Sequence, residues 1–174
     1  KYPLEAVKTM AAIAEQAEKD RNAMGEYEVP MNENCSQREF LAHAAIDATR
    51  KLGVAGIITD SLTGETVRHL AAFRGPNPIL AICYNEKTQR WLNLSFGVIA
   101  IHQKDKISPN YMFTAALRML RQKGYITLDD KIAYLSGRFG FGNSGGTTFL
   151  EINKVRQVFD KSYKFHLPNK ENDK

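Results

Sequence analysis

Cysteine is scarce in this sequence, and its two copies lie far apart. Cys35 and Cys83 show no Cys-x-x-Cys spacing of the kind found in zinc sites, and two thiols in 174 residues make no disulfide framework. The sequence therefore predicts neither a disulfide-stabilised secreted domain nor a zinc site. We expect a reducing, cytoplasmic setting.

Long hydrophobic runs are also missing. No uninterrupted apolar stretch approaches the roughly 18 to 20 residues that a membrane-spanning helix needs, and the mean hydropathy is −0.38. The sequence opens at Lys1 without a methionine and shows no apolar signal-peptide segment. We therefore expect no membrane contact, and we interpret the chain as a segment of a longer protein.

A concentrated basic surface is the third absence. The net charge is +5 and the pI is near 9.2, but the basic residues are interleaved with acidic ones along the chain. Nucleic-acid-binding proteins usually gather Lys and Arg on one face or along one helix. We expect no nucleic-acid partner. With 43% hydrophobic and 25% charged residues, the composition is that of an ordinary globular domain.

The beginning of the chain predicts a helix set apart from the rest. From residue 4 to about residue 21, apolar residues recur at helical spacing, and Pro3 stands where helices begin. The following stretch contains Pro30 and three acidic residues, as linkers do. We divide the sequence into a terminal helix (1–24), a linker (25–35), an α/β domain (36–160) and a tail that we expect to be disordered (161–174).

The larger part alternates helices with short apolar runs. A second helix begins at the capping box Ser36–Glu39 and ends at Gly53. Uninterrupted apolar runs, typical of strands buried on both faces, follow at 54–59, 79–84, 98–102 and 132–136. Helical segments lie between them at 65–73, 86–94 and 109–123. A last segment, 147–158, is interpreted as a strand paired back on the fourth. The pattern predicts a three-layer α/β/α fold with a mostly parallel five-stranded sheet whose last strand is antiparallel.

Residues 136–148 form a glycine-rich segment with two interpretations. Gly140, Gly142 and Gly145 match G-x-G-x-x-G, but a dinucleotide-binding site needs a helix directly afterwards, and a strand is predicted there. One interpretation is a loop at a strand's carboxyl end whose amides hold an anion. The other is a hairpin loop whose glycines only supply positive φ.

Residues 59–66 join the first strand to the third helix. Hydroxyl groups and a glycine at a helix N-terminus are typical of phosphate-binding loops, although a plain helix cap explains any single loop of this kind. The Gly-Lys-Ser/Thr ending of a P-loop is absent. Because both loops follow strands at the same predicted sheet edge, we expect a small phosphorylated ligand there.

No catalytic or metal-binding constellation is visible. The four histidines, at positions 43, 69, 102 and 166, show no spacing that pairs them with a nucleophile or a carboxylate. Cys83 is expected in the core, and Trp91 is expected to pack against the sheet. We therefore predict no catalytic residue, no metal ligand and no cofactor in this chain.

Three runs of sequence resemble one enzyme family. Residues 1–18 are similar to the helix that closes the barrel domain of pyruvate kinases, residues 63–81 to the loop and helix of their C-terminal regulatory domain, and residues 142–148 to their final glycine-rich loop. The resemblance reaches to about Ile152. It implies the C-terminal α/β regulatory domain together with the last barrel helix.

The resemblance implies a function for the parent protein. Pyruvate kinases transfer phosphate from phosphoenolpyruvate to ADP in glycolysis, as cytoplasmic homotetramers, with Mg²⁺ and K⁺ bound in the barrel. The chain itself would be catalytically silent. Its partners would be the parent's barrel domain, the sister subunits and a phosphorylated sugar effector. The resemblance places the effector site at Ser61, Leu62, Thr63, Gly64, Glu65, Thr66, Gly142, Ser144, Gly145, Gly146 and Thr147.

Departures from the family pattern narrow the expected effector. Glu65 stands where many relatives have a basic or neutral residue, and a carboxylate there repels a phosphate unless a cation compensates it. Gly75 replaces a usual proline, and residues 109–112 lack the basic residue that holds a second phosphate. Arg68, Arg138, Lys104 and Lys106 remain possible substitutes. We expect a monophosphorylated effector or none.

Two other functions stay open from the sequence. The same fold serves as a stand-alone phospholigand-binding or assembly module, but a barrel-closing helix has no purpose without a barrel. A small Rossmann-like transferase is disfavoured, because no helix is predicted after the glycine-rich loop.

Overall fold

The structure, a computed structural model, describes residues 2–23, 29–103, 109–137 and 146–160. The chain divides into two compact units, Lys1–Pro30 and Met31–Lys174. The described part of the first unit contains one helix, α1 (Pro3–Ala23), where the apolar spacing predicted it. The apolar side chains on α1 are between 61 and 71% exposed at Leu4, Val7, Met10 and Ile13. The predicted linker and tail boundaries stay predictions.

The second unit is one sheet between two layers of helices. In chain order its elements are α2 (Gln37–Lys51), β1 (Val54–Ser61), α3 (Glu65–Ala72), β2 (Ile79–Cys83), α4 (Glu86–Leu92), β3 (Val98–His102), α5 (Pro109–Gln122), β4 (Lys131–Gly137), β5 (Thr147–Lys154) and α6 (Val155–Phe159). The strand order is β3-β2-β1-β4-β5, and only the β4–β5 pair is antiparallel. This confirms the predicted α/β/α fold.

Helices α2 and α4 begin where their capping residues in the sequence predicted. The Ser36 hydroxyl accepts a hydrogen bond from the Glu39 amide at 3.2 Å, which caps α2. The Asn85 side chain accepts one from the Lys87 amide at 2.7 Å, which caps α4. Among the described residues, no helix is long and apolar enough to cross a membrane.

The order of the strands decides which helices share a face of the sheet. The crossovers through α3 and α4 lead outward from β1, whereas the crossover through α5 leads back past β1 to β4. Right-handed crossovers therefore place α3 and α4 on one face and α5 on the other. A core cluster on the α5 face contains Ile58, Leu80, Ile82, Phe113, Leu117, Ile132, Tyr134, Val155 and Val158.

The end of β5 corrects one prediction. A single strand was predicted over 147–158, but β5 ends at Lys154 and α6 follows. Lys154 pairs with Lys131, the first residue of β4, so a longer β5 would have no strand to pair with. The Val155 amide donates instead to the Asp130 carbonyl at 2.9 Å, and Val155 and Val158 are buried one helical turn apart.

The packing of α4 corrects a second prediction. Trp91, expected against the sheet, is 62% exposed, and the Arg68 guanidinium lies over its ring at 5.4 Å from the centroid. Its neighbour Leu92 is 1% exposed and is the side chain that packs inward. Since α4 has only seven residues, a single turn decides which side chain faces inward.

The sheet has a switch point between β1 and β4. From β1 the chain proceeds through β2 to β3 on one side, and it returns to place β4 on the other. In open α/β sheets, the crevice outside the carboxyl ends of the two strands at such a point is the usual ligand site. The carboxyl ends here are Ser61 and Gly137, which border the two loops singled out in the sequence.

Candidate functional site at the carboxyl ends of β1 and β4

The loop after β1 is closed by its own first side chain. The Ser61 hydroxyl, in a residue that is 7% exposed, accepts a hydrogen bond from the Gly64 amide at 2.8 Å. Gly64 precedes α3 with φ of +83°, a conformation that favours glycine. A Cβ at Gly64 would also lie 3.0 Å from the Leu92 Cδ2 atom. Both the backbone conformation and the limited space at this position therefore favour glycine.

The start of α3 offers amide groups rather than a capping side chain. Its N-cap is Gly64, which makes no side-chain cap hydrogen bond. The first-turn amides, those of Glu65 and Thr66 among them, have no carbonyl one turn earlier in the helix to donate to. Together with the helix dipole, such amides favour an anion. Because the Gly64 amide already donates to Ser61, the amides of α3 itself are the donors placed to meet one.

The glycine-rich segment reaches this loop through one hydrogen bond. The hydroxyl oxygens of Thr66 and Thr147 lie 2.7 Å apart, although the two residues are separated by 81 positions. Thr147 begins β5, directly after Gly146, and is 5% exposed. The structure thus brings the start of β5 to the first turn of α3. The predicted residues Gly142, Ser144 and Gly145 lie outside the described residues, as do Lys104, Lys106 and Arg138.

The backbones of Gly137 and Gly146 approach each other closely beside this contact. A Cβ built on Gly137 would overlap the Gly146 carbonyl oxygen. In the β4–β5 ladder, Gly137 pairs with Thr147, and the register shifts between Ser136 and Gly137. The glycine at position 137 therefore permits the β4–β5 pairing to continue up to the loop.

The outer residues of the loop face solvent. Leu62 is 46% exposed and Thr63 is exposed, so neither side chain is held in the protein interior. The Leu62 carbonyl accepts a hydrogen bond from the Thr88 hydroxyl of α4 at 3.3 Å. This contact anchors the rim of the loop on α4.

Glu65 has a cationic neighbour that the sequence analysis missed. One of its carboxylate oxygens, Oε1, lies 2.5 Å from Nη1 of Arg38, in the first turn of α2. The Arg38 side chain is 22% exposed and the Glu65 side chain 46%. Arg38 is therefore a cation that compensates the negative charge of Glu65, the condition under which a phosphate can bind beside this carboxylate. No sequence spacing connects positions 38 and 65, so only the packing of α2 beside α3 reveals the pair.

The sequence analysis also missed a polar cluster around Asp60, which lies near the carboxyl end of β1 on the sheet face opposite to Ser61. Ser136 donates a hydrogen bond to one Asp60 carboxylate oxygen, and the Tyr84 hydroxyl lies 3.4 Å from the other. Burial raises the pKa of Asp60, and the hydrogen bond from Ser136 offsets part of that rise. Burial, and then the Asp60 charge, raise the pKa of the Tyr84 phenol. An acidic residue near the end of an apolar strand was the signal for this cluster.

Two other candidates from the sequence, Cys83 and His43, contact groups that hold the fold together rather than the candidate site. Cys83 is fully buried, as predicted, and burial raises the pKa of its thiol to about 11. The ring of His43 meets that of Phe73 edge-on at 5.0 Å between centroids. Within the described ranges, no group of three or more His, Cys, Asp or Glu side chains is arranged to hold a metal ion. The described residues therefore do not fit the Mg²⁺ expected for the parent.

Comparison with known proteins decides the family. The family profile described as "Pyruvate kinase, alpha/beta domain" matches residues 39–153, a range that runs from the first turn of α2 to the end of β5 but for its last residue. This chain belongs to that family. The resemblance of the α/β part to the C-terminal domain of pyruvate kinases is thereby confirmed.

The relatives of this pyruvate kinase α/β domain are longer proteins. A pyruvate kinase of Borreliella burgdorferi is 34% identical over 160 residues, which cover 91% of this chain and 33% of the relative. A pyruvate kinase of Bacillus licheniformis is 30% identical over 165 residues, covering 92% and 27%. The chain thus spans about a quarter to a third of the curated relatives it matches.

A solved structure supports the fold of the pyruvate kinase α/β domain. The structure titled "Cryptosporidium parvum pyruvate kinase in complex with ADP" superimposes with a TM-score of 0.64 and 19% identity. The match covers 72% of this chain and 25% of that one. At this identity the likeness concerns the fold.

Proposed function

We propose that this chain is the C-terminal regulatory and oligomerisation domain, with the last barrel helix, of a pyruvate kinase. The parent transfers phosphate from phosphoenolpyruvate to ADP, giving pyruvate and ATP, in the cytoplasm. The observation that carries the proposal is the family match over residues 39–153. The catalytic groups and the sites for Mg²⁺ and K⁺ belong to the rest of the parent, so the chain alone is catalytically silent.

The exposed apolar residues of α1 support the proposal that a further domain of the parent packs against this helix. Leu4, Val7, Met10 and Ile13 recur at three-residue spacing, and all four are more than 60% exposed. Neighbours in this series lie about 60° apart around the helix, so the four residues form an apolar stripe that winds around α1. Exposed apolar stripes of this kind are usually covered by another element. In the proposed parent, the barrel domain covers this stripe.

The candidate site supports regulation by a phosphorylated sugar. The amides at the start of α3 attract an anion, and the Thr66–Thr147 hydrogen bond joins this helix to the strand that leaves the glycine-rich segment. A ligand that contacts α3 would therefore also affect the start of β5, because the two elements are linked by this hydrogen bond. A coupling free energy of about 1 to 3 kcal/mol between this site and the active site is enough for regulation.

One binding experiment tests the effector site. Isothermal titration calorimetry of the 174-residue chain with glucose 6-phosphate should show saturable binding at one site per chain. Fructose 1,6-bisphosphate should bind no more tightly, because residues 109–112 supply no basic residue for a second phosphate. Much tighter binding of the bisphosphate would overturn the preference for a monophosphate. Absence of binding by both sugars would overturn the effector site.

A second experiment tests the parent's activity. The complete reading frame should encode a barrel domain before residue 1, and its product should convert phosphoenolpyruvate and ADP to pyruvate in a coupled assay. The 174-residue chain alone should show no turnover in the same assay. An initiator codon at or just before residue 1 would instead support a stand-alone phospholigand-binding or assembly module.

A further inference from the structure

The carboxylate at the candidate site is held by a cation from another helix. Glu65 is the only acidic residue in the loop 61–66, and it is the first residue of α3. Its Oε1 atom lies 2.5 Å from Nη1 of Arg38, which belongs to α2. Arg68, a cation further along α3, lies over the ring of Trp91 instead. Among the described residues, Arg38 is therefore the cation paired with Glu65.

An unpaired Glu65 would act against a bound anion in two ways. Its negative charge would repel a phosphate a few ångströms away, and the repulsion is strongest where water is partly excluded. A carboxylate in the first turn of a helix is also attracted to the positive end of that helix. Glu65 would then compete with the phosphate for the same α3 amides. Pairing with a cation weakens both effects.

We propose that Arg38 is a positioning residue of the effector site. It neutralises the Glu65 carboxylate and holds it toward the start of α2, so that the first-turn amides of α3 stay available to a phosphate. The inference rests on the proposed phosphorylated-ligand site and adds α2 to it. Arg38 acts through Glu65 and not on the ligand, so its loss weakens binding only while the Glu65 carboxylate is present.

A double-mutant cycle tests this role. Phosphate affinity is measured by calorimetry on the full 174-residue chain, with inorganic phosphate and glucose 6-phosphate as probes. Arg38→Gln should weaken binding about five- to tenfold, which is about 1 to 1.4 kcal/mol at 1.4 kcal/mol per tenfold. Glu65→Gln should bind at least as tightly as the wild type. The double variant should match Glu65→Gln, because no carboxylate is left to neutralise.

A matched control separates this role from a general loss of positive charge. Arg156→Gln removes the same charge from another ion pair, in which Nη2 of Arg156 lies 2.8 Å from Oδ1 of Asp129. Asp129 precedes β4, at the end of the sheet away from the candidate site. This variant should bind both probes like the wild type. Thermal melting checks that each variant is folded, and Arg38→Met replaces Arg38→Gln if the latter does not fold.

The possible outcomes have separate meanings. If the wild type binds but Arg38→Gln binds equally well, the role of Arg38 is refuted while the effector site stands. If the double variant is as weak as Arg38→Gln, Arg38 acts on the ligand or on the fold, and the proposed route through Glu65 is wrong. If neither the wild type nor Glu65→Gln binds either probe, the effector site itself is refuted, and this inference with it.

Discussion

Gly64→Ala changes the residue that precedes α3 and gives the loop between β1 and α3 its positive φ. Gly64 has φ of +83°, and moving an alanine into that region costs about 1 to 2 kcal/mol. The added Cβ would also lie 3.0 Å from Cδ2 and 3.3 Å from Cγ of Leu92. Since Leu92 is 1% exposed, its side chain has little room to move, and overpacking of this kind costs about 1 to 3 kcal/mol. We expect a total loss of about 2 to 5 kcal/mol in the free energy of unfolding.

Gly97→Ala is the matched control for this prediction. Gly97 has φ of +66°, but a Cβ there meets nothing within 4 Å, so only the backbone cost of about 1 to 2 kcal/mol applies. Urea unfolding followed by circular dichroism gives the free energy of unfolding of both variants and the wild type. The difference between the two variants measures the contact with Leu92. A Gly64→Ala variant no less stable than Gly97→Ala would refute the packing argument.

Three further predictions concern the groups around the candidate site. Burial raises the pKa of Asp60, so the folded state binds its proton more tightly than the unfolded state does. Its contribution to stability is therefore complete below about pH 4, the ordinary pKa of Asp, and is lost as the pH rises through the folded-state value. Asp60→Asn should flatten that part of a urea-midpoint profile against pH, and an unchanged profile would contradict the raised pKa. Thr66→Val should cost about 1 to 3 kcal/mol, because the buried Thr147 hydroxyl loses its partner at 2.7 Å, whereas Thr66→Ser should retain most of the stability in the same urea assay. A Thr66→Val variant as stable as Thr66→Ser would show that this hydrogen bond contributes nothing. Gly137→Ala should destabilise by about 2 kcal/mol or more, because its Cβ overlaps the Gly146 carbonyl oxygen. Hydrogen exchange should show faster exchange in the β4–β5 ladder of that variant, and unchanged protection would refute the close approach of the two glycines.

Most of the secondary structure could be predicted because its signals are local. Ser36 and Asn85 accept hydrogen bonds from amides three and two residues later, so the caps of α2 and α4 are contained in short stretches of sequence. Strand β2, Ile79–Cys83, is buried at every position, and an uninterrupted apolar run is how such a strand looks in a sequence.

The wrong predictions concern contacts made across the fold. The Val155 amide turns toward the Asp130 carbonyl because β4 ends its pairing with β5 at Lys131. The length of β5 is therefore set by where another strand begins. Trp91 and Leu92 are both apolar neighbours on α4, and only the position of α4 on the sheet decides that Leu92 is the buried one.

Part of the candidate site could be predicted because its signals, like those of the helices and strands, are local in the sequence. The loop 61–66 is contiguous, and its glycine and hydroxyl residues indicate a turn before a helix. The contacts that complete the site join Thr66 to Thr147 and Glu65 to Arg38, pairs that no spacing rule connects. The side chain of Asp60 points to the other face because side chains alternate along a strand, which sets it apart from Ser61.

The amino-acid sequence by itself determined the fold class, the positions of the first four strands and the sheet edge from which the two loops start. These follow from apolar periodicity, caps and turns, whose energies depend on residues a few positions apart. The tertiary structure alone decided which hydroxyl meets Thr66 and which cation neutralises Glu65. Such contacts depend on how helices and strands pack against one another, and the packing brings together side chains that are distant in the chain.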